Sequence, residues 1–373
     1  LVTLEHHEPS LLHSYFTSLG YSAEQRNGEA HFYNYSSCEE EYRILTQGVG
    51  CRLVPASLLE LQGKDSLDFL HRITTNNVKS LPEKQYTKTI FTNEKGRILD
   101  RVFTVNFGDR QLLIGNTGTQ KKLFLWLQRY IIMDDVRASE ADKQLAVFEI
   151  IGPQARSFMT LLCGEQCSGL QKNEVRVLNI EDFSCSVLLN TFQNNAGNSE
   201  GNESFLVIAI LPHALKLIQY VMQNKGVFDF GLIGEDAYEM FRIEKGIPAE
   251  KELNDLYNPH EAKLVDEVCF TKGCYIGQEV IARLATYEKV QKYLTGYLFN
   301  SSAATDKQFT LIDDDNTEIG TITSTVFSSS MKKNIGLGYL KKDFISENKV
   351  IKAVGKTSKT EVSVTVHSIP FKN

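Results

Sequence analysis

Apolar positions recur at helical spacing in four stretches of the chain. Lys64–Ile73 places Leu67, Leu70 and Ile73 three residues apart, with Asp65 as a candidate N-cap. Thr119–Ile132 carries Leu123, Trp126, Leu127 and Tyr130 on one face. Pro212–Met222 starts on a proline suited to a first turn, and Glu235–Lys245 ends at Gly246. Strand patterns lie between them. Thr87–Thr92 and Ile98–Phe107 flank the turn Asn93-Glu94-Lys95-Gly96, and Leu112–Gly115, Leu145–Ile151, Val187–Leu189 and Phe205–Leu211 follow. After about residue 290 the pattern is all β, in short runs at Tyr293–Phe299, Phe309–Ile312, Glu318–Val326, Ile335–Tyr339 and Val362–Val366. The polar stretch Gln193–Glu203 reads as a long hairpin-like loop, and Ser301–Lys307 as a connection. This order predicts an α+β protein with a terminal barrel or sandwich module.

Composition narrows the function classes. With 373 residues the chain is long enough for two or three domains, and 42% hydrophobic with 23% charged residues is ordinary for packed cores. Forty Lys+Arg against 46 Asp+Glu leave a formal charge of −6, which argues against bulk-electrostatic nucleic-acid binding. Apolar runs such as Phe205–Leu211 have strand length, well below the roughly 18 residues of a membrane span. Residues 1–8 lack the basic start and apolar core of a signal peptide, and the chain opens on Leu1, so a missing N-terminal segment stays open. Seven scattered cysteines with no CxxC suit a reduced, intracellular setting and not a zinc site, and the eight histidines, His6 and His7 among them, include no HExxH. No GxGxxG and no Walker phosphate loop occurs, which removes support for nicotinamide and nucleotide-triphosphate enzymes.

Three places carry candidate chemistry. In Lys272-Gly273-Cys274-Tyr275-Ile276-Gly277-Gln278-Glu279, a short strand over Val268–Phe270 is expected to lead through a glycine-flanked turn into a helix from Gln278 to Leu284. Cys274 then sits near a helix N-terminus, two residues from Lys272, a setting that favours a thiolate. The plainer reading is a small buried thiol in a packed turn. Strand alternation puts Asp100 on one face with Ile98 and Val102, and Arg101 on the other with Leu99 and Phe103. Asp100 needs a partner there, either a ligand N–H or an arginine such as Arg97. Arg242, at a helix end, offers a planar fork for a carboxylate such as a glutamyl tail, or a helix-surface ion pair.

The run from Lys272 to Glu279 resembles the KGCYxGQE signature of the YgfZ family, folate-binding iron–sulfur assembly and repair proteins related to the glycine-cleavage T protein. Further landmarks resemble the same family: Gly63–Leu70 running into Thr74–Val78, Thr92–Asp100, Ile151–Ala155, Arg242–Pro248, Gly320–Ser324 and Lys332–Tyr339. The resemblance implies two interleaved α+β subdomains over residues 1–290 and a β-barrel-like domain over 291–373, arranged around a central folate pocket. It implies tetrahydrofolate or a derivative as ligand, with Asp100, Arg101, Arg242, Lys272, Tyr275 and Gln278 as contacts. It also implies Cys274 as the functional thiol, no resident metal, and iron–sulfur proteins or their assembly machinery as partners. The location implied is cytoplasmic, or the mitochondrial matrix in a eukaryote. In the T protein the hairpin ends in two adjacent acids. Here the second position is Arg101, a base that donates only. That disfavours the alternative function, tetrahydrofolate-dependent aminomethyl transfer.

Overall fold

The structure, a computed structural model, describes residues 11–21, 24–26, 29–192, 203–287, 289–301 and 306–371. His6 and His7, most of the Gln193–Glu203 loop and the middle of Ser301–Lys307 lie outside the described residues. The chain forms two compact units, each built from two separated segments: Leu1–Pro55 with Ala141–Tyr238, and Ala56–Glu140 with Glu239–Asn373.

The first unit holds a six-stranded sheet in the order Val175–Ile180, Phe183–Thr191, Glu203–Ile210, Leu145–Ile151, Val49–Leu53, Phe230–Leu232. Only the last pair is parallel. Alternate residues of these strands, such as Cys51, Phe148, Ile150, Val187 and Val207, pack on the helices Ala155–Cys163 and Leu211–Gln223. The opposite face carries a buried polar ladder. Arg52 donates to Glu149 at 2.8 Å, Ser204 donates to the other Glu149 oxygen at 2.5 Å, and Asn190 donates to Ser204 at 3.2 Å. Arg52 also lies 3.4 Å over the ring of Tyr238, which allows a guanidinium to be buried there.

The second unit contains a five-stranded antiparallel sheet and a closed barrel. The sheet runs Gln85–Thr92, Ile98–Asn106, Arg110–Gly115, Ser57–Gln62, Arg137–Glu140. Its apolar face packs Phe91, Val102 and Leu113 on Phe69 and Leu70 of helix Ser66–Ile73 and on Leu123 and Leu127 of helix Gln120–Tyr130. Asp65 stands at the N-cap position but makes no capping bond, and its carboxylate instead accepts from the Asp135 N–H at 2.8 Å. The barrel order is Lys292–Phe299, Lys333–Lys341, Glu318–Ser328, Phe309–Ile312, Val350–Gly355, Glu361–His367. The strand Val350–Gly355 goes beyond the sequence expectation. Its exposed Val350 and Lys352 break up the apolar run, yet it is needed to close the barrel and remove the sheet edges. A second apolar cluster joins Ile90 and Ile98 of the sheet to Leu294, Ile335, Leu337 and Tyr339 of the barrel through Ile243, Leu253 and Tyr257.

Candidate functional site in the hairpin and the Lys272–Glu279 loop

The turn forms as the sequence predicts. The Asn93 side chain accepts from the N–H groups of Lys95 and Arg97, each at 3.0 Å, and Gly96 takes a positive φ of 66°. One feature departs from strict alternation. Thr92 pairs with Ile98 and Phe91 with Asp100, so Leu99 is an extra residue in its strand. This bulge reverses the facing of everything before it. Ile98 therefore packs with Ile90, whereas Leu99 and Val102 pack with Phe91.

Asp100 is fully buried. It accepts from the N–H of Arg101 (2.8 Å), the N–H and side chain of Asn116 (3.2 and 2.6 Å) and the hydroxyl of Thr119 (2.6 Å). Burial pushes its carboxyl up to about 6, against these hydrogen bonds. Arg97 is not its partner. Arg97 goes to Glu261 at 2.9 Å and to the Leu256 carbonyl. Asp100 thus ties its strand to the next strand end and to the start of helix Gln120–Tyr130.

Arg101 points to the other side and closes a two-pronged ion pair on Glu267. Its Nε donates to both carboxylate oxygens at 3.0 and 2.8 Å, and its Nη2 donates to Oε1. Glu267 ends a short 3-10 turn, Val265–Glu267, where the sequence suggested the approach to a strand at Val268–Phe270. No strand forms there, because the backbone is taken up by tertiary bonds. Thr75 Oγ1 donates to the Glu267 carbonyl at 2.8 Å, and the Cys269 N–H donates to the Thr75 carbonyl at 3.0 Å.

Lys272 explains why the loop holds its shape. Its ammonium is turned inward and donates to the carbonyls of His71, Thr74 and Asn76 at 2.5, 2.6 and 2.7 Å. Those carbonyls lie at and just past the end of helix Ser66–Ile73, where a cation complements the helix dipole. Burial pushes Lys272 down to about 8. All three of its donors are used, so it anchors the loop. The thiol that it favours is Cys269. The Thr271 hydroxyl, the N–H groups of Thr271 and Lys272 and the Lys272 charge together hold Cys269 below the ordinary thiol value. Cys274 is exposed, the one cysteine of the seven that is, which rules out the plainer reading of a sealed core thiol.

The helix after the turn runs Gln278–Thr286. Gly277 precedes it at φ 82°, and a Cβ there would stand 2.5 Å from the Asn93 carbonyl and 2.9 Å from Gly96 Cα. The hairpin tip and the loop therefore meet backbone to backbone, and Thr92 Oγ1 donates to the Ile276 carbonyl at 2.6 Å. Tyr275 is buried with Val268 and Ile281, and its hydroxyl has no hydrogen-bond partner among the described residues. The Gln278 amide is half-buried and forms no hydrogen bond of its own with the described residues. Of the six expected folate contacts, Gln278 keeps an amide that meets no described residue, whereas the Tyr275 hydroxyl is sealed from solvent.

Arg242 is 2% exposed. Its five donors meet Glu239 (2.5 and 2.6 Å), Glu252 (3.1 Å), the Ile247 carbonyl (3.2 Å) and Ser324 (2.9 Å). Burial works to raise Glu239, yet Arg242 and Lys251 hold it below the ordinary carboxylate value. The fork reserved in sequence for a ligand carboxylate is filled by the protein's own acids. The chain thus brings the hairpin and the loop together and directs Arg242 to the barrel, at Ser324. Sequence reasoning did not reach Glu267, Glu239 or Glu252. The one signal for Glu267 was that an arginine on an apolar strand requires an acid, with nothing to say which. Among the described residues no three His, Cys, Asp or Glu side chains converge as a metal site.

An interrupted α+β fold closed by a six-stranded barrel, with a glycine-matched hairpin and loop, defines the T-protein class of architecture. The GCVT N-terminal domain family matches residues 29–272, and the glycine cleavage T-protein C-terminal barrel domain matches residues 301–371. The chain belongs to the GCVT family. It is similar to a protein of Arabidopsis thaliana named "Putative transferase, chloroplastic", at 28% identity over 84% of this chain and 68% of the relative. It is also similar to the mitochondrial aminomethyltransferase of Pisum sativum, at 26% identity over 84% of this chain and 76% of that one. The aminomethyltransferase of Caldanaerobacter subterraneus matches at 25% identity over 79% of each chain. The glycine cleavage system aminomethyltransferase T of Bartonella henselae shares the fold, with a TM-score of 0.81 over 97% of each chain at 16% identity. Among the described residues no helix is long and apolar enough to cross a membrane.

Proposed function

We propose that the protein binds tetrahydrofolate or a derivative and serves iron–sulfur cluster assembly or repair, presenting Cys274 as its reactive thiol. Family membership supports the folate ligand, and the resemblance of Lys272–Glu279 to the YgfZ signature supports the accessory role. The observation that carries the reading is the Arg101–Glu267 pair. Arg101 stands where the resemblance implies a second hairpin acid, and its guanidinium is closed on Glu267. A guanidinium cannot accept a proton from, or stabilise, a cationic folate amine. On this reading the hairpin does not carry aminomethyl transfer.

A second reading is a tetrahydrofolate-dependent aminomethyltransferase. The names of the Pisum and Caldanaerobacter relatives support it more directly than they support the first. The two are separated by one pair of measurements. Tetrahydrofolate raises the melting temperature under both readings, because a ligand of the native state stabilises it. Formation of methylenetetrahydrofolate from an aminomethylated carrier occurs only under the second. Catalytic turnover would overturn the first reading, and absence of any folate-induced shift would overturn both.

A further inference from the structure

Three large apolar side chains stand in water on and just beyond one helix. Leu125 of helix Gln120–Tyr130 is 59% exposed, and Ile132 and Met133 after its end are 82% and 94% exposed. Single exposed apolar residues are ordinary, but a group of them on one element marks a contact surface. The tip is anchored on both sides. Ile131 packs with Trp126 and Tyr130 on the core of the sheet, Arg72 pairs with Asp134, and the Asp135 N–H donates to Asp65 at 2.8 Å. Ile132 and Met133 are therefore held outward between fixed neighbours, and a partner meets them already ordered.

The charges around these residues define the partner. Lys121, Leu125 and Arg129 follow one another at four-residue spacing, so they share the solvent face of the helix. Lys122 reaches Asp255 at 3.4 Å, whereas Lys121 and Arg129 form no ion pair among the described residues. A two-fold dimer through this face sets Lys121 and Arg129 against their own copies, like charge on like. An anionic membrane is disfavoured at the tip, because Asp134 and Asp135 follow Met133 directly and would be carried to the lipid phosphates. The surface also adjoins the Lys272 loop. Ile276 packs on the same core as Trp126 and Tyr130, and the Tyr130 hydroxyl donates to Glu94 at the hairpin tip at 2.5 Å.

We propose that the face formed by Lys121, Leu125 and Arg129, with the tip Ile132–Met133, docks an acidic protein segment that carries large apolar side chains. The apolar residues of that segment cover Leu125, Ile132 and Met133, and its carboxylates meet Lys121 and Arg129. A protein docked there lies beside the loop that carries Cys274. That it is a client of this thiol rests on the proposed function, whereas the docking itself does not.

The test uses the full chain and a fluorescein-labelled amphipathic peptide of Glu, Leu and Ala, about 18 residues long, with binding read by anisotropy. The wild type should bind it with a Kd on the order of 100 μM or tighter. Binding should weaken at least about tenfold in Lys121→Glu/Arg129→Glu and at least about fivefold in Leu125→Ser/Met133→Ser. Both variants should melt within about 2 °C of wild type, because these side chains are exposed. The same peptide with Lys in place of Glu should not bind. Equal binding of the two peptides, no binding of the acidic one, or binding unchanged in either double variant would overturn the proposal. Association with phosphatidylserine-containing vesicles, or a dimer in light scattering, that Leu125→Ser/Met133→Ser abolishes while the acidic peptide stays unbound would assign the face to a membrane or to a second copy instead. Cys274→Ala should bind the peptide as wild type does, so failure of the thiol role and failure of the docking surface are read separately.

Discussion

Arg101 and Glu267 are 166 positions apart in sequence and hold each other by three N–H···O contacts. The pair fastens the start of the Lys272 loop to the hairpin strand. Removing one partner of a largely buried pair leaves the other charge unmatched, which costs about 3–5 kcal/mol. Here Arg101 keeps 22% of its side-chain exposure, so water screens part of the effect. We expect Arg101→Ala to lose about 2 kcal/mol in urea unfolding, and the swap Arg101→Glu with Glu267→Arg to recover a good part of it. Strict additivity in that double-mutant cycle would show that the pair contributes nothing as a pair.

Asp100 should give the protein a pH signature. Its folded carboxyl titrates at about 6, above its ordinary value of 3.8. A raised carboxyl binds its proton more readily folded than unfolded. Its contribution is therefore complete below 3.8 and is lost as pH rises through about 6. Asp100→Asn cannot titrate, and its amide oxygen can still accept from Arg101 and Asn116. Relative to wild type, this variant should gain up to ~3 kcal/mol between pH 4 and pH 7. Parallel stability curves for the two proteins across that range would contradict the assignment.

Gly277 allows the loop and hairpin to touch. A side chain there meets both a φ of 82° and the Asn93 carbonyl at 2.5 Å. Gly277→Ala is expected to cost more than ~2 kcal/mol. Gly96→Ala has nearest contacts of 3.1–3.4 Å and should cost less. Melting temperatures of the two variants check the order.

Cys274→Ala removes an exposed sulfur and should change stability by less than about 0.5 kcal/mol. Any folate-induced rise in melting temperature should persist. Restoration of iron–sulfur enzyme activity in cells lacking the protein should be lost, and full restoration by the variant would remove the proposed role of this thiol.

Arg242→Ala should be a folding mutant and not a clean binding mutant. It leaves the buried Glu252 without its cation and Glu239 with Lys251 alone, at a cost of about 3–5 kcal/mol. Loss of folate binding in this variant is therefore to be compared with its unfolded fraction. Wild-type stability with weakened folate binding would restore Arg242 as a direct contact.

Much of the architecture was legible in the sequence because apolar periodicity records which side of an element meets a core. Leu123 and Leu127, or the alternating strands after residue 290, carry that record locally. The turn at Asn93–Gly96 and the helix from Gln278 were equally local, since turn residues and glycine conformations act within a few positions. The roles of charged residues were not local. Asp100 was visible as a group needing a partner and Arg242 as a fork for a carboxylate, but a charge is satisfied by whatever the fold brings near it. For Arg101 that is Glu267, for Arg242 it is Glu239 and Glu252, and for Lys272 it is a trio of helix-end carbonyls. The bulge at Leu99 was also beyond the pattern, because an extra residue in one strand is defined only against its partner strand. The sequence by itself determined most of the elements and a terminal β module, whereas the meeting of hairpin and loop at Gly277 is tertiary. Tertiary structure alone decided which polar groups stay open, because electrostatic and hydrogen-bond satisfaction depends on distance in space and not along the chain.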